Sequence, residues 1–329
     1  MDLSFYSFLF INILIITLLF KNADIISKKI GLNKKQDDQT PLVGGLGIFI
    51  FFILFNFYLF YFQKQLVIDY QFNILILISI IFIIGFFDDV FQLSYIKRLI
   101  FIYLIFVIFL KFTNFYIIDQ LYFESINKTV LLGNFALYIT PFFILLLLNS
   151  LNMADGINGN SGIIIISYLY LLYENNINLN LLVLSIIIPL ILFLYFNLRN
   201  KIYLGDSGIY LLSSIIALYV INKYNTKSIM ISCEEIFLIF LIPGLDMFRL
   251  FILRLLKKRN PFKGDNNHLH HLLLSKYDLK YTLLIYFILI NWPNILYSSF
   301  KINILLLILT NIFIFILFVL YLQKLKKFS

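Results

Sequence analysis

Carboxylates, imidazoles and glycines are gathered into five short polar patches on an otherwise apolar chain. Asp88-Asp89 follow Gly85-Phe86-Phe87, residues 149–162 read NSLNMADGINGNSG, residues 203–208 read YLGDSG, and residues 268–271 (HLHH) hold every histidine. The fifth patch is Pro41-Leu42-Val43-Gly44-Gly45, a glycine-bearing loop after a lysine-rich stretch. Adjacent carboxylates repel, so a pair such as Asp88-Asp89 is tolerated where a cation or an acid–base task uses it. Asn149, Asn152, Asp155 and Asn158 recur every three residues, and on a helix they would share a face of hard oxygen donors suited to Mg²⁺ or to partnering a base. Gly156, Gly159 and Gly162 allow tight turns and close approach of backbone to a ligand. Gly205-Asp206-Ser207-Gly208 alone is a common turn; beside the two acidic patches Asp206 becomes a candidate metal ligand. His268, His270 and His271 follow Lys257, Lys258, Arg259 and Lys263, with no cysteine nearby and no usual zinc spacing, so a cationic cradle for a diphosphate suits them better.

Each patch also has a plainer reading: a polar helix end, an Asn-rich loop in an Asn-rich chain, a solvated basic loop. The elements that must carry the patches argue against it. The chain has 329 residues, 61% of them hydrophobic and only 13% charged, far from the balance of a water-soluble domain. Windows able to cross about 30 Å of hydrocarbon fall at 3–20, 46–62, 72–87, 99–112, 136–151, 162–173, 179–197, 209–221, 229–247, 281–300 and 302–322. The first has no basic leader and no small-residue cleavage site, so it reads as a retained helix. The expected fold is all-α: a polytopic membrane protein of about 11 transmembrane helices, a single domain over 1–329.

Alternating the sides of these windows puts twenty of the 26 basic residues in one set of loops. Those loops are then cytoplasmic by the positive-inside rule, and they carry all five patches. The expected location is a cell (inner or plasma) membrane with the active-site loops facing the cytoplasm. The net charge of +9 is thereby a topology signal and calls for no nucleic acid. The single cysteine, Cys233, excludes an internal disulfide. Asp246 and Arg249 in PGLDMFR pair with each other and brace their loop, and Glu234-Glu235 read as helix-start residues. A transporter or flippase is the competing class, but it would place charges at mid-span, whereas here they lie at helix ends.

In this order and register the DD, NMADGINGNSG, YLGDSG and HLHH motifs resemble the polyprenyl-phosphate N-acetylhexosamine-1-phosphate transferases, in their WecA-like branch rather than that of MraY, because HLHH is not a run of three histidines. The resemblance spans residues 41–271 and the helix pattern beyond. It implies Mg²⁺-dependent transfer (Mn²⁺ substituting) of a HexNAc-1-phosphate from a UDP-N-acetylhexosamine to a polyprenyl phosphate, releasing UMP. It also implies roles. Asp88 and Asp89 would be catalytic at the acceptor phosphate, Asp88 as base; Asp206 and Asn152 would hold the metal. Asp155 and Asn158 would bind the nucleoside, and Lys263, His268, His270 and His271 the diphosphate and sugar. Lys97 or Arg98 would meet the lipid phosphate. Asn158 stands where many relatives carry a second aspartate, and an amide can still bond uracil. A pentapeptide-bearing donor, as in the MraY-like branch, and a homodimer stay open.

Overall fold

The computed structural model describes residues 3–31, 40–62, 71–173, 177–226, 231–261 and 265–327. In chain order its helices are α1 (Leu3–Lys21), α2 (Ala23–Ile30), α3 (Gly44–Phe62), α4 (Gln71–Phe91) and α5 (Tyr95–Phe112). An antiparallel hairpin follows, β1 (Gln120–Phe123) with β2 (Lys128–Leu131). Then come α6 (Ala136–Ala154), α7 (Asn160–Leu171), α8 (Ile177–Asn197), α9 (Gly205–Asn225) and α10 (Cys233–Ile239). The last four are α11 (Leu241–Leu256), α12 (Leu269–Leu274), α13 (Leu279–Phe300) and α14 (Ile304–Lys327).

The protein is a polytopic all-α membrane protein. Among the described residues seven helices are long and apolar enough to cross a bilayer, or eight if α10 and α11 form one bent span. Ten of the eleven apolar windows each lie inside one helix to within two residues, and the described part of the 229–247 window covers two, but not every helix is a crossing by length. At 1.5 Å per residue α7, with 12 residues, covers about 18 Å. Large side chains such as Phe10, Phe112, Phe300 and Leu309 are exposed. In water so broad an apolar surface would drive aggregation; against lipid it carries no cost. In hydrocarbon every backbone N–H and C=O needs an internal partner, which is why the continuous apolar runs fold as helices.

The window at 229–247 is not one straight helix. α10 and α11 meet at 76°. Pro243 has no N–H to give, and its ring would meet the carbonyl four residues back, on Ile239, where α10 ends. The hairpin was not foreseen from the alternation of the sequence. It is set by Leu121, Tyr122 and Phe123 paired with Val130, Thr129 and Lys128, and by Asn127 turning through the left-handed region at φ 47°.

The chain divides into two compact units, residues 1–102 with 173–215, and residues 103–172 with 216–329. In the first, α1, α3 and α8 pack together around Phe20, Phe51, Phe55 and Phe193. The start of α9 is driven against α3 and α4 at positions with no side chain. A Cβ on Gly45 would sit 2.6 Å from Gly208 Cα, and one on Gly85 would sit 2.5 Å from Ser207 Cα. The backbone N–H groups of Gly44 and Gly45 bond the carbonyls of Tyr203 and Leu204, and Tyr203 N–H bonds Pro41 O. The Pro41–Gly45 patch is thus the seat on which the Gly205–Gly208 turn rests. In the second unit α6 packs on α11, and α7 on α13.

Candidate active site

Within the first unit the chemistry gathers where α4 ends, α5 begins and α9 begins. The Asp88 carboxylate, 3% exposed, accepts the Leu93 N–H at 2.8 Å and is ion-paired with Arg98. Arg98 Nη1 also reaches Asp206 Oδ2 at 3.4 Å, and its guanidinium lies 5.2 Å from the Tyr95 ring and 5.4 Å from that of Tyr210. Its Nε is buried without a hydrogen-bond partner. Lys97, the adjacent base, points away and is exposed. Of the two cations that the sequence left open, Arg98 is the one in the cluster.

Asp89 does something the sequence did not suggest. Its carboxylate accepts the N–H of Asp206 at 2.7 Å and of Ser207 at 3.0 Å, so it caps the N-terminus of α9 from another helix. Gly205 sits at φ 76° directly against that carboxylate. Asp88 gives one oxygen to Leu93 N–H and the other to Arg98, with the Asp206 carboxylate beside it. Asp206 is the remaining carboxylate: its side chain is 31% exposed, lies beside that of Asp88 and makes a long contact to Arg98. It is the one with oxygen capacity open to a hard cation.

Among the described residues no three His, Cys, Asp or Glu side chains converge as a ready metal cage. Mg²⁺ needs none, since it commonly binds one or two carboxylates and completes its shell with water and substrate phosphates. Asp206 fits that demand.

Within the second unit the cluster is built on α11, α12 and the α6–α7 turn. Asp246, buried, accepts Leu269 N–H at 3.1 Å, holds His268 Nδ1 at 2.9 Å and pairs with Arg249 at 2.7 Å. Arg249 also donates to Asn267 O at 2.7 Å. The pairing read from PGLDMFR is therefore present, and it carries more than a brace. With the ionised carboxylate at Nδ1, that nitrogen of His268 is the donor, and Nε2 faces the other way. Below, Arg254 holds Asp265 at 3.1 Å and Pro261 O at 2.9 Å, tying the basic loop to the same helix. Asp246 and Arg254 were missed as positioning residues; only their types and the i, i+8 spacing along α11 hinted at them.

The rings of His268 and His270 stack at 5.6 Å, and His270 and His271 lie 4.3 Å apart. His270 is fully buried and neither ring nitrogen has a partner. Burial, reinforced by His271 and His268, pushes its pKa down to about 3, so it is neutral and adds no charge to a cradle. The α6–α7 turn passes over these rings at Gly156, where a Cβ would collide with His270 Nε2 and stand 2.9 Å from His271 Nε2. The shared helical face expected of Asn149, Asn152, Asp155 and Asn158 stops at Ala154. Asp155 leaves the helix and Gly159, at φ 80°, turns the chain into α7, so Asp155 and Asn158 lie in a turn instead. Asn152 stays in the last turn of α6, half-buried. Asn160, the first residue of α7, fastens this turn by bonding Ala154 O at 2.7 Å. Lys263 lies outside the described residues.

The second unit also holds an apolar cavity of about 680 Å³, lined on α6 by Phe143 and Leu147, on α9 by Val220 and Ile221, and on α10 and α11 by Phe237 and Phe248.

Residues 71–223 match glycosyl transferase family 4, a stretch that runs from α4 to α9 and includes Asp88, Asp89, Arg98 and Asp206. Over that stretch the chain is similar to this family. It is an enzyme of the transferase class. It is 27% identical over 285 residues to an undecaprenyl-phosphate alpha-N-acetylglucosaminyl 1-phosphate transferase of Escherichia coli O157:H7, covering 80% of this chain and 75% of the relative. It is 29% identical to the protein of the same name from Thermotoga maritima, covering 77% and 74%. To that of Yersinia pestis it is 26% identical, covering 76% and 71%.

The buried neutral His270 has a measurable signature. Its folded pKa lies below the ordinary histidine value, so between about pH 3 and 6.5 only the unfolded chain takes up the proton, and stability falls as pH drops through 6.5. At pH 5 this amounts to about 2 kcal/mol. His270→Gln should therefore narrow the gap between thermal-inactivation midpoints of the detergent-purified protein at pH 7.5 and pH 5. An unchanged gap would show that this ring titrates normally.

Proposed function

We propose that this transferase moves a HexNAc-1-phosphate, GlcNAc-1-phosphate first among them, from a UDP-sugar to undecaprenyl phosphate. It releases UMP and leaves a polyprenyl-diphosphate-HexNAc, the first lipid-linked intermediate of a cell-envelope glycan. The observation that carries the proposal is Arg98, a guanidinium fixed by Asp88 and Asp206 at the ends of apolar helices, with a buried Nε still unpartnered. A cation so placed suits a phosphate whose tail is in the bilayer. The names of the relatives supply the acceptor and the sugar.

In the proposed reaction an oxygen of the acceptor phosphate forms a bond to the phosphorus that carries the sugar. The bond from that phosphorus to the UMP oxygen breaks, and its electron pair leaves with UMP. Charge moves from one phosphate to another, so the protein's work is positioning and electrostatic stabilisation. Arg98 holds the acceptor phosphate, and Asp88 orients Arg98; a proton on the acceptor would pass to Asp88 once that pair opens. Asp89 fixes the α9 N-terminus and so the backbone that carries Asp206. Asp206, with Asn152 assigned by resemblance, would hold Mg²⁺, which when bound spreads the charge of the moving phosphoryl group. His268 and His271 bond the donor diphosphate, His268 oriented by Asp246, while Asp155 and Asn158 take the nucleoside. Neutral His270 supports the Gly156 turn. The basic bias of the loops supports a bacterial plasma-membrane location with the motifs on the cytoplasmic side.

Purified protein given undecaprenyl phosphate should turn UDP-GlcNAc into a lipid-extractable sugar with equal UMP release, and prefer it to UDP-MurNAc-pentapeptide. EDTA should abolish this and Mg²⁺ restore it, and Asp206→Asn should lose about a hundredfold or more in turnover. Preference for the pentapeptide donor would reassign the substrate, and full activity of Asp206→Asn would remove it from the metal site.

The topology is tested on a Cys233→Ser background. An impermeant thiol reagent on intact cells should label Asn127→Cys, at the hairpin tip, and not Lys201→Cys, before α9. Reversed labelling would contradict a cytoplasmic active site.

A further inference from the structure

Within the second unit α13 packs along α7 and also meets α11 and α12. Its buried face includes Thr282, Leu283, Tyr286, Ile290 and Asn291, a stripe at helical spacing. A leucine on that stripe would need no polar partner. Tyr286, with no exposed surface, brings a hydroxyl that does.

The polar groups near that hydroxyl are unspent in a matched way. Arg249 Nη2 serves both Asp246 Oδ1 and Asn267 O at 2.7 Å, while its Nε and Nη1 are buried and bond nothing. Guanidinium nitrogens can only donate. The Tyr286 hydroxyl and Asn160 Oδ1, which can accept, are also buried without a hydrogen-bond partner. Tyr286 has Asn160, Asp246 and Arg249 as its electrostatic neighbours. Buried polar groups are costly to leave alone, and donors facing acceptors beyond direct reach are ordinarily joined by a buried water. Each side of this group has a task. Asn160 Nδ2 holds Ala154 O and so fastens the turn that bears Asp155, Gly156 and Asn158. Arg249 holds Asp246, which holds His268. Asn291 Nδ2 donates to Ser167 Oγ at 2.8 Å and already pins α13 to α7, so the two helices stay together without the Tyr286 hydroxyl.

We propose that Tyr286 is a positioning residue of the donor site: its hydroxyl, with a buried water, joins the Arg249 guanidinium to the Asn160 amide and holds the α6–α7 turn in register with His268. This rests on the transferase reading above, which gives the turn to the nucleoside and His268 to the diphosphate. With the bridge in place both parts meet the donor preformed. Without it the donor must order them itself, and its affinity falls.

The test uses the full chain in detergent. Tyr286→Phe keeps the ring and removes only the hydroxyl, a change that is neutral or stabilising if the hydroxyl bonds nothing. As the junction of the bridge, its loss should raise both KM and calorimetric Kd for UDP-GlcNAc about tenfold, the effect of one lost hydrogen bond, while kcat and the KM for undecaprenyl phosphate hold. Arg249→Lys keeps a cation for Asp246 and cuts the bridge from the other side, so the double variant should lose no more donor affinity than Arg249→Lys alone. Unchanged donor KM and Kd in Tyr286→Phe, equal losses for both substrates, or losses that multiply in the double variant overturn the proposal. If Tyr286→Phe does not fold, Arg249→Lys decides by the same split between donor and acceptor. If the wild type neither binds UDP-GlcNAc nor transfers, the transferase reading fails, and hydrogen exchange still judges Tyr286: amides 157–163 and 269–273 should quicken together in Tyr286→Phe, and unchanged exchange at either segment overturns the bridge.

Discussion

A charged group at the end of an apolar helix must bring its partner with it, and the Asp88–Arg98 pair shows how far that requirement reaches. Both side chains are nearly buried. Removing either would leave an uncompensated charge at a cost of several kcal/mol. The pair therefore dictates how α5 returns from α4. Gln92 turns through φ 53° while its N–H bonds Asp88 O, and Leu93 N–H closes on the Asp88 carboxylate. That turn places Arg98 within reach of Asp206. The first residues of α9 must then be near as well, and Gly45, Gly85 and Gly208 are the positions without Cβ that let them in.

Both units use the same device to position a functional side chain. A carboxylate from one helix takes the free N–H groups at the start of another: Asp89 at α9, and Asp246 at α12. Those N–H groups have no partner within their own helix, and near hydrocarbon no water replaces one. The carboxylate thus satisfies the helix end and fixes the adjacent functional residue, Asp206 in one case and His268 in the other. An acid next to a motif can be indispensable without touching substrate.

The helices were legible because hydrocarbon imposes them: each apolar window lies within a few residues of a helix. The irregular parts were not. The hairpin depends on Glu234, Tyr224 and Tyr297, distant in sequence, and so left no local signal beyond its aromatic residues. The break at Phe240 was readable in principle from Pro243, yet Pro141, Pro189 and Pro293 lie inside continuous helices, so proline alone does not mark a break in this setting. Of the candidate site, the residue types were legible and their division of labour was not. Asp88 and Asp89 are neighbours in sequence but face different partners, because successive helix positions point about 100° apart. The preference for Arg98 over Lys97 follows from the same rotation. His270 read as one of three cations, and only its burial shows it to be neutral.

If Arg98, Asp88 and Asp206 act as one phosphate-handling unit, their contributions to transfer cannot be independent. A double-mutant cycle of Arg98→Lys and Asp206→Asn on kcat/KM for undecaprenyl phosphate, read by UMP release, measures this directly. The combined variant should lose less than the product of the two single losses, by about tenfold, which corresponds to a coupling near 1.4 kcal/mol. Losses that simply multiply would mean that the two side chains serve the reaction separately, and the bridging role of Arg98 would be wrong.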